Sequence, residues 1–256
     1  MNPVKATLVV CAAILLTSCG TQVAPTQPET AGVRPQVDEP QAQSASRRHR
    51  RKRGPRGNAP AATGTSGTFD FYVMSLSWSP GFCATPAGRG DTMQCGGQRK
   101  YGFVMHGLWP QYEGKGWPED CTTERVDDAT VQSMLSIMPS PKLVEHEWEK
   151  HGTCSGLDAK DYFEEATEAF HSVAIPPRYQ APTKTITVSP DQMLHDFVAA
   201  NPKFGQQGFA VLCSGNGRYL NEVRACLSKD LDGRSCNQEV LRDQCRSSEM
   251  IMRPVR

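Results

Sequence analysis

The sequence predicts an α+β fold in which helices pack on an antiparallel central sheet and disulfide bonds stabilise the domain. Strand-like segments lie near both ends of residues 68–256, and segments with helical periodicity lie between them, an order typical of α+β proteins. This region also holds eight cysteines, and an even number in an exported domain indicates disulfide bonds. We therefore assign residues 68–256 to one folded domain.

Apolar segments predict the strands. FDFYVMSLSW, Phe69–Trp78, is apolar and aromatic on both faces, which is typical of a central strand buried on two sides. YGFVMHGLWP predicts a second, short strand at Phe103–His106, ended by the glycine and proline that follow. Near the C-terminus, GFAVLC and YLNEVRACLS flank SGNGR and predict a β-hairpin.

Four segments between these strands predict helices. DDATVQSMLSIMP places four apolar side chains at helical spacing and stops at Pro139. SPDQ, Ser189–Gln192, fits a capping box with Pro190 at the first helical position. The helices expected after the first are Lys142–His151, Ala159–Val173 with Asp158 as its cap, and a last one that runs from SPDQ to about Ala200.

Residues 1–19 resemble a signal peptide that ends in a lipobox. Lys5 precedes an apolar core that is too short to span a bilayer comfortably. The core ends in LTSC, so Cys19 is a candidate for lipidation; the alternative is an ordinary signal peptide that contains a cysteine. Gly20 is not the aspartate that would suggest inner-membrane retention, so we expect an outer-membrane lipoprotein or a periplasmic or extracellular protein.

Residues 20–67 lack apolar periodicity and predict a disordered linker. Within it, RRHRRKRGPR (residues 47–56) carries seven Lys or Arg residues, which either attach the protein to an anionic polymer or form a self-repelling linker. From Gly57 onward, 19 Lys and Arg residues face 24 Asp and Glu residues. Bulk charge therefore predicts no nucleic-acid partner, and RNA binding would need a local cationic pocket.

The helix at Lys142–His151 concentrates ionisable side chains. With about 100° per residue, Lys150, Glu147 and His151 lie about 40°, 100° and 140° from His146, within less than half of the circumference. If the sheet covers this face, the four groups meet in one pocket, whereas Trp148 belongs to the core.

The same helix resembles a zinc-protease helix only superficially. That pattern needs a second histidine four residues after His146, and the sequence has Lys150 there, a cation that repels metal ions. His151 comes one position later and points elsewhere. We predict neither a metal nor a cofactor.

Two segments carry a family resemblance. HGLWPQ (His106–Gln111) and HEWEKHGTC (His146–Cys154) resemble the two active-site segments of the T2 ribonuclease family, and LSWSPGFC (Leu76–Cys83) resembles its opening strand. The resemblance covers about Thr68 to the C-terminus. It implies a metal-independent endoribonuclease that cleaves single-stranded RNA through a 2′,3′-cyclic phosphate, with RNA as the partner.

The resemblance also implies roles for individual residues. His151 is the general base for the ribose 2′-hydroxyl and His106 is the general acid for the leaving 5′ oxygen, roles that suit imidazoles near neutral pH. His146 binds the phosphate, and Lys150 with Glu147 stabilises the five-coordinate phosphorus. The sequence does not order the pKa values of the two imidazoles, which form a coupled pair.

For substrate binding, the resemblance points to Trp109 and Gln111. Trp109 either stacks on a base or packs under the strand end, and we favour stacking. Gln111 replaces an acidic residue of some family members, so no base preference is assigned. Tyr112 and Trp117 are candidate neighbours of the base.

The resemblance implies the disulfide pairing as well: Cys83–Cys95, Cys121–Cys154, Cys213–Cys245 and Cys226–Cys236. A function of another class is a surface-anchored protein that binds RNA or another polyanion without cleaving it. Cleavage of RNA in the presence of a metal chelator distinguishes the two hypotheses.

Overall fold

The computed structural model describes residues 64–256. The predicted signal peptide, Cys19, the basic run at residues 47–56 and all but the last four residues of the linker lie outside the described residues. None of the helices within residues 64–256 has the length and apolarity that a membrane crossing requires.

The described part of the chain contains six strands and helices of three to 14 residues. The strands are β1 Phe71–Trp78, β2 Phe103–Gln111, β3 Ile186–Val188, β4 Phe209–Ser214, β5 Tyr219–Leu227 and β6 Met250–Met252. The α-helices are α1 Ser79–Phe82, α2 Pro86–Gly90, α3 Thr92–Cys95, α4 Asp128–Met134, α5 Pro141–Lys150, α6 Ala159–Ser172, α7 Pro177–Gln180, α8 Pro190–Ala200 and α9 Gln238–Arg242, and 3-10 turns occupy Gly152–Cys154 and Pro202–Phe204.

The strands form one sheet in the order β2-β1-β5-β6-β3, with β4 also paired to β5. Both neighbours of β1 are antiparallel to it, and β4 and β5 form the predicted hairpin. The predicted antiparallel central sheet is confirmed, with one parallel contact, where β5 pairs with β6 through Tyr219 and Ile251. Strands β3 and β6 have three residues each and too little sequence to show a period.

Strand β1 is buried on both faces, as its composition predicts. Side chains that alternate along a strand point to opposite faces. Tyr72 and its alternate neighbours join the larger core with the helices, whereas Phe71 and Val73 join a smaller core with residues of β4 and β5. The second face continues along the strand to Ser75 and Ser77, which lie opposite Arg224 and Glu222 of β5.

Strand β2 is longer than predicted, because it continues from His106 to Gln111. Pro110 does not end it, since β2 is an edge strand and an edge tolerates a residue without an N–H donor. The register shifts beside His106: Ser75 faces Gly107, and Leu76 faces Met105. His106 is therefore the extra residue of a β-bulge, a feature that re-aims a side chain.

The helices follow the prediction at most of their ends. Asp158 caps α6, and Ser189 caps α8 by accepting a hydrogen bond from the Gln192 N–H. The reciprocal half of the expected capping box is absent from the described bonds, because the Gln192 amide donates to Asp196 instead.

The predicted first helix is wrong at its end, since α4 stops at Met134 instead of continuing to Pro139. The backbone leaves the helix because the carbonyl of Ile137 accepts a hydrogen bond from the N–H of Met105 on β2. Val131, Met134 and Met138 of this segment are still buried and Leu135 is half-buried, so the pattern located most of the core positions correctly.

The four disulfides of the structure join the predicted pairs: Cys83–Cys95, Cys121–Cys154, Cys213–Cys245 and Cys226–Cys236. The second of these links the turn after α5 to the loop that follows β2. It thereby fixes the end of α5 relative to β2.

Candidate active site

One cavity of about 400 Å³ between β2, α5 and α9 collects the five predicted catalytic residues and the two predicted substrate-binding residues. Strand β2 contributes three of them and α5 with its C-cap contributes four. The residues are His106, Trp109, Gln111, His146, Glu147, Lys150 and His151. The polar face predicted for α5 therefore lines this cavity, while Trp148 packs in the core beside Tyr162.

The ionisable side chains near the end of α5 differ in direction and in burial. Pro141 occupies its first turn, where a missing N–H costs nothing, and the helix ends at Lys150. His151 is the C-cap, with φ −123° and ψ −46°, so the backbone turns there and the imidazole leaves the helical direction. Glu147 is buried and His146 is exposed on the rim.

Gly107 lets α5 approach β2. The indole Nε1 of Trp109 donates a hydrogen bond to Glu147 Oε2 at 2.7 Å, directly over the Gly107 Cα. A Cβ at this position would overlap both the carboxylate and the indole nitrogen. Any larger residue would therefore push Glu147 and Trp109 apart.

His106 is held by a carboxylate on β5. Its Nδ1 lies 2.7 Å from Glu222 Oε1, and its Nε2 faces the cavity 3.6 Å from Glu147 Oε1. Burial by itself lowers the pKa of His106, but the hydrogen bond to Glu222 and the charges of Glu147 and Glu222 outweigh it and raise the pKa. The imidazolium form is thus stabilised at this position.

His151 has the opposite electrostatic setting. Burial, together with the positive charges of His146, Lys150 and His106, lowers its pKa to about 3. Its Nδ1 is buried and has no hydrogen-bond partner among the described residues. The neutral imidazole is therefore the stable form across the neutral range.

Trp109 lies between the two imidazoles. Its ring centroid is 5.2 Å from that of His106 and 5.5 Å from that of His151, so both imidazoles border the same small space. The indole forms part of the cavity wall and also packs against the smaller core.

The buried carboxyl group of Glu147 has a raised pKa. Burial raises its pKa to about 7, although the charge of His106 and the indole N–H of Trp109 favour the carboxylate. The group can therefore hold or release a proton near neutral pH.

Lys150 is held by two carboxylates. Its Nζ lies 2.8 Å from Glu119 and 2.9 Å from Asp120, and these hydrogen bonds raise the pKa of the ammonium. Much of its charge is already compensated in this arrangement. Neither carboxylate could be foreseen, since both lie in an irregular loop 30 residues or more before it.

Two further residues near the site lie on β5 and were not predicted from the sequence. Glu222 holds His106, and Arg224 binds Glu222 at 3.3 Å and lies 5.1 Å above the indole of Trp109. Their alternate spacing in the strand was a signal for one shared face, but nothing in the sequence paired that face with β2.

Other residues predicted at the base site differ in exposure. Gln111 is buried, and its amide donates to the carbonyl of Pro110. Trp117 is 46% exposed at the cavity rim and donates weakly to Glu119 at 3.3 Å. Tyr112 is half-buried and does not line this cavity.

Comparison with known proteins places this chain in a family. The family model of the Ribonuclease T2 family matches residues 69–236, and the chain belongs to that family. A ribonuclease of Aeromonas hydrophila is 37% identical over 214 residues, which cover 78% of this chain and 92% of the relative. Ribonuclease I of Escherichia coli is 25% identical over 211 residues, or 64% of this chain and 77% of the relative.

Solved structures with the same fold include ribonucleases. Trichomaglin, described as a novel S-like ribonuclease, superimposes with a TM-score of 0.60 at 18% identity and covers 74% of this chain and all of its own. RNase NT, solved in complex with 5′-AMP, superimposes with a TM-score of 0.56 at 21% identity, with coverage of 74% and 100%. At these identities the structures support the α+β fold.

Proposed function

We propose that this chain, as a member of the Ribonuclease T2 family, is an endoribonuclease that cleaves single-stranded RNA by attack of the ribose 2′-hydroxyl on the adjacent phosphorus. The observation that carries the proposal is the pair formed by His106 and His151. The two imidazoles border one indole in one cavity, and their pKa values are shifted in opposite directions. One proton donor and one proton acceptor are what this reaction needs.

The pKa directions support the roles implied by the family. His151, whose pKa is lowered, is neutral and takes the 2′ proton. His106, whose pKa is raised, carries the proton that Nε2 gives to the leaving 5′ oxygen, while Nδ1 stays bound to Glu222. The product is a 2′,3′-cyclic phosphate, which the same two groups hydrolyse by exchanging roles.

The remaining site residues act on the phosphate and the base. His146 on the rim binds the phosphoryl group, and Lys150 with Glu147 stabilises the added charge of the five-coordinate phosphorus. Asp120 and Glu119 orient the ammonium of Lys150. Trp109 and Gln111 bind a base, and DNA, which lacks the 2′-hydroxyl, is not cleaved.

The protein acts outside the cytoplasm in this proposal. Four disulfides favour an oxidising compartment, in agreement with the predicted signal peptide. We extend the proposal to lipidation at Cys19 and outer-membrane attachment. Mass spectrometry of the mature N-terminus tests this point, since an unmodified N-terminus beyond Cys19 would contradict it.

The decisive experiment incubates RNA with the purified protein in the presence of a metal chelator. Cleavage that leaves cyclic phosphate ends supports the enzyme, whereas RNA that is retarded but intact would favour the polyanion-binding alternative. The variants His106→Phe and His151→Phe should fold normally and lose a factor of about 10² to 10⁴ in kcat. Near-normal hydrolysis by either variant would contradict its assigned role.

A further inference from the structure

A second cavity, of about 370 Å³, lies beyond the end of β1 and has a strongly cationic wall. Lys100, Arg253 and Arg256 line it together with Tyr101, Ser79 and the buried Gln94. Among the described residues that line it, none has a carboxylate side chain. The side chains of this wall therefore carry positive charge and no negative charge.

The cations of this second cavity differ from those of the catalytic cavity. Lys150, Arg224 and Arg242 at the catalytic site are all paired with carboxylates. In contrast, Lys100 donates to a backbone carbonyl and Arg253 stacks on Tyr219, and neither forms an ion pair with another described residue. Lys100 and Arg253 in the second cavity therefore lack, within residues 64–256, the carboxylate partners that the cations of the catalytic cavity have.

The two cavities follow one another along β1 and past its end, with a third cavity between them. Val73 lines the catalytic cavity, Ser77 lines an intermediate cavity, and Ser79, just past the end of β1, lines the cationic cavity. Alternate residues of a strand share a face and the rise is about 3.3 Å per residue, so Val73 and Ser77 are about 13 Å apart. The intermediate cavity, of about 280 Å³, shares His106 with the catalytic cavity and Gln94 with the cationic one.

We propose that the cationic cavity at Lys100 and Arg253 binds the phosphodiester backbone of the same RNA strand that is cleaved at His106, several nucleotides from the scissile bond. The proposal rests on the proposed function for the identity of the ligand. Polymer binding needs unpaired cations, because affinity for a nucleic-acid backbone comes from neutralised phosphates. A catalytic cavity whose cations are already paired supplies few of them, so the second cavity makes the enzyme prefer polymeric RNA over dinucleotides.

The test compares two substrates and two variants of the full chain. The substrates are a dinucleoside monophosphate, which fills only the catalytic cavity, and an oligoribonucleotide long enough to reach both cavities. The variant Lys100→Glu with Arg253→Gln should lose about tenfold in kcat/KM on the oligonucleotide at ~50 mM salt and nothing on the dinucleotide. The salt dependence of its KM should become shallower by about 0.7 in the log–log slope for each lost phosphate contact.

The control is Lys203→Glu, which makes the same charge change as Lys100→Glu at an exposed residue that lines none of the three cavities. It should leave both substrates unchanged. The basic run at residues 47–56 is present in every protein tested and cancels in the comparison. If the double variant does not fold, Lys100→Glu alone, at an exposed position, decides the question.

An equal loss on both substrates, or no loss on either, would overturn the proposal. Binding of an uncleavable 2′-deoxy oligonucleotide separates this inference from the proposed function. A wild type that binds this oligonucleotide more tightly than the double variant does, yet cleaves no RNA, would contradict the enzymatic function and leave the backbone site standing.

Discussion

At the scale of single residues, the chemistry of His106 depends on a side chain 116 positions away. The Glu222 carboxylate occupies Nδ1, so Nε2 is the nitrogen left to exchange a proton in the cavity. Such a contact selects one tautomer and one ring orientation. Glu222 touches no part of the cavity where the phosphate would sit, which makes it a positioning residue.

Glu222→Gln should therefore change the pH profile of activity while it leaves the structure intact. The glutamine oxygen still accepts from Nδ1–H, but the negative charge that raises the pKa of His106 is gone. The proton needed by the general acid is then lost at lower pH, so the basic limb of kcat/KM against pH should move to lower pH. Asp243→Asn removes a carboxylate that lines the catalytic cavity and contacts neither imidazole, and it should leave that limb in place. An unmoved basic limb in Glu222→Gln would contradict this role.

Gly107 offers a second test at this scale. In Gly107→Ala the new methyl group overlaps the Glu147 carboxylate and the Trp109 indole nitrogen, so the bond between them must break. We expect kcat/KM to fall by a factor of about 10² or more, since small misplacements of site groups are costly. Gly114→Ala, in the loop after β2, places its Cβ in open space and serves as the control. Full activity in Gly107→Ala would show that the bond has no role.

The seven predicted site residues line one cavity in the structure, and each of the two predicted segments that supply them is continuous in sequence. Within HGLWPQ and within the α5 segment, the residues that line the cavity are close in sequence. Local spacing was therefore sufficient to predict that they lie together. Glu222, Arg224 and Asp120 could not be found in this way. Their positions depend on the register of β1 with β5 and on the path of a loop, both of which are set by tertiary contacts.

At the scale of elements, the site is an assembly of one edge strand and one helix end. The bulge in β2 turns His106 toward the face that carries Trp109, and the C-cap geometry turns His151 toward the same space. The sequence predicted strand β2 too short, because Gly107 and Pro110 are ordinarily chain-breaking residues. In this fold the glycine is needed for close approach and the proline is tolerated at the sheet edge.

Loss of the disulfide Cys121–Cys154 should reduce activity by more than the accompanying loss of stability explains. Its loop spans 33 residues and that of Cys213–Cys245 spans 32, so the loss of unfolded-state restraint should be nearly the same for both. Replacing either pair by serines should cost about 2–4 kcal/mol in the free energy of unfolding.

Only the first replacement loosens the turn that follows His151. We therefore expect kcat to fall selectively in the Cys121/Cys154 variant, with the Cys213/Cys245 variant as its matched control. Denaturant unfolding and steady-state kinetics at a temperature where both variants are folded make the comparison. Equal kcat values in the two variants would contradict a special role for this bridge.

At the scale of the whole molecule, the active site opposes stability in a pH-dependent way. Burial raises the pKa of Glu147 to about 7 from its ordinary value of 4.5, so the folded protein holds a proton that the unfolded chain releases. Between these two pH values the folded state binds more protons than the unfolded state. Stability contributed by this group therefore falls as pH rises through that window, and the loss is complete above about pH 7.

Glu147→Gln removes this penalty, because glutamine stays neutral and still accepts the hydrogen bond from Trp109. At pH 4 the variant and the wild type should have similar free energies of unfolding. At pH 8 the variant should be more stable, by on the order of 1–3 kcal/mol, although it is a poorer enzyme. Glu145→Gln, at an exposed position of the same helix, should give no such gain. Urea unfolding at both pH values measures the difference. A variant less stable than the wild type at pH 8 would show that burial of the Glu147 carboxylate does not destabilise the folded protein.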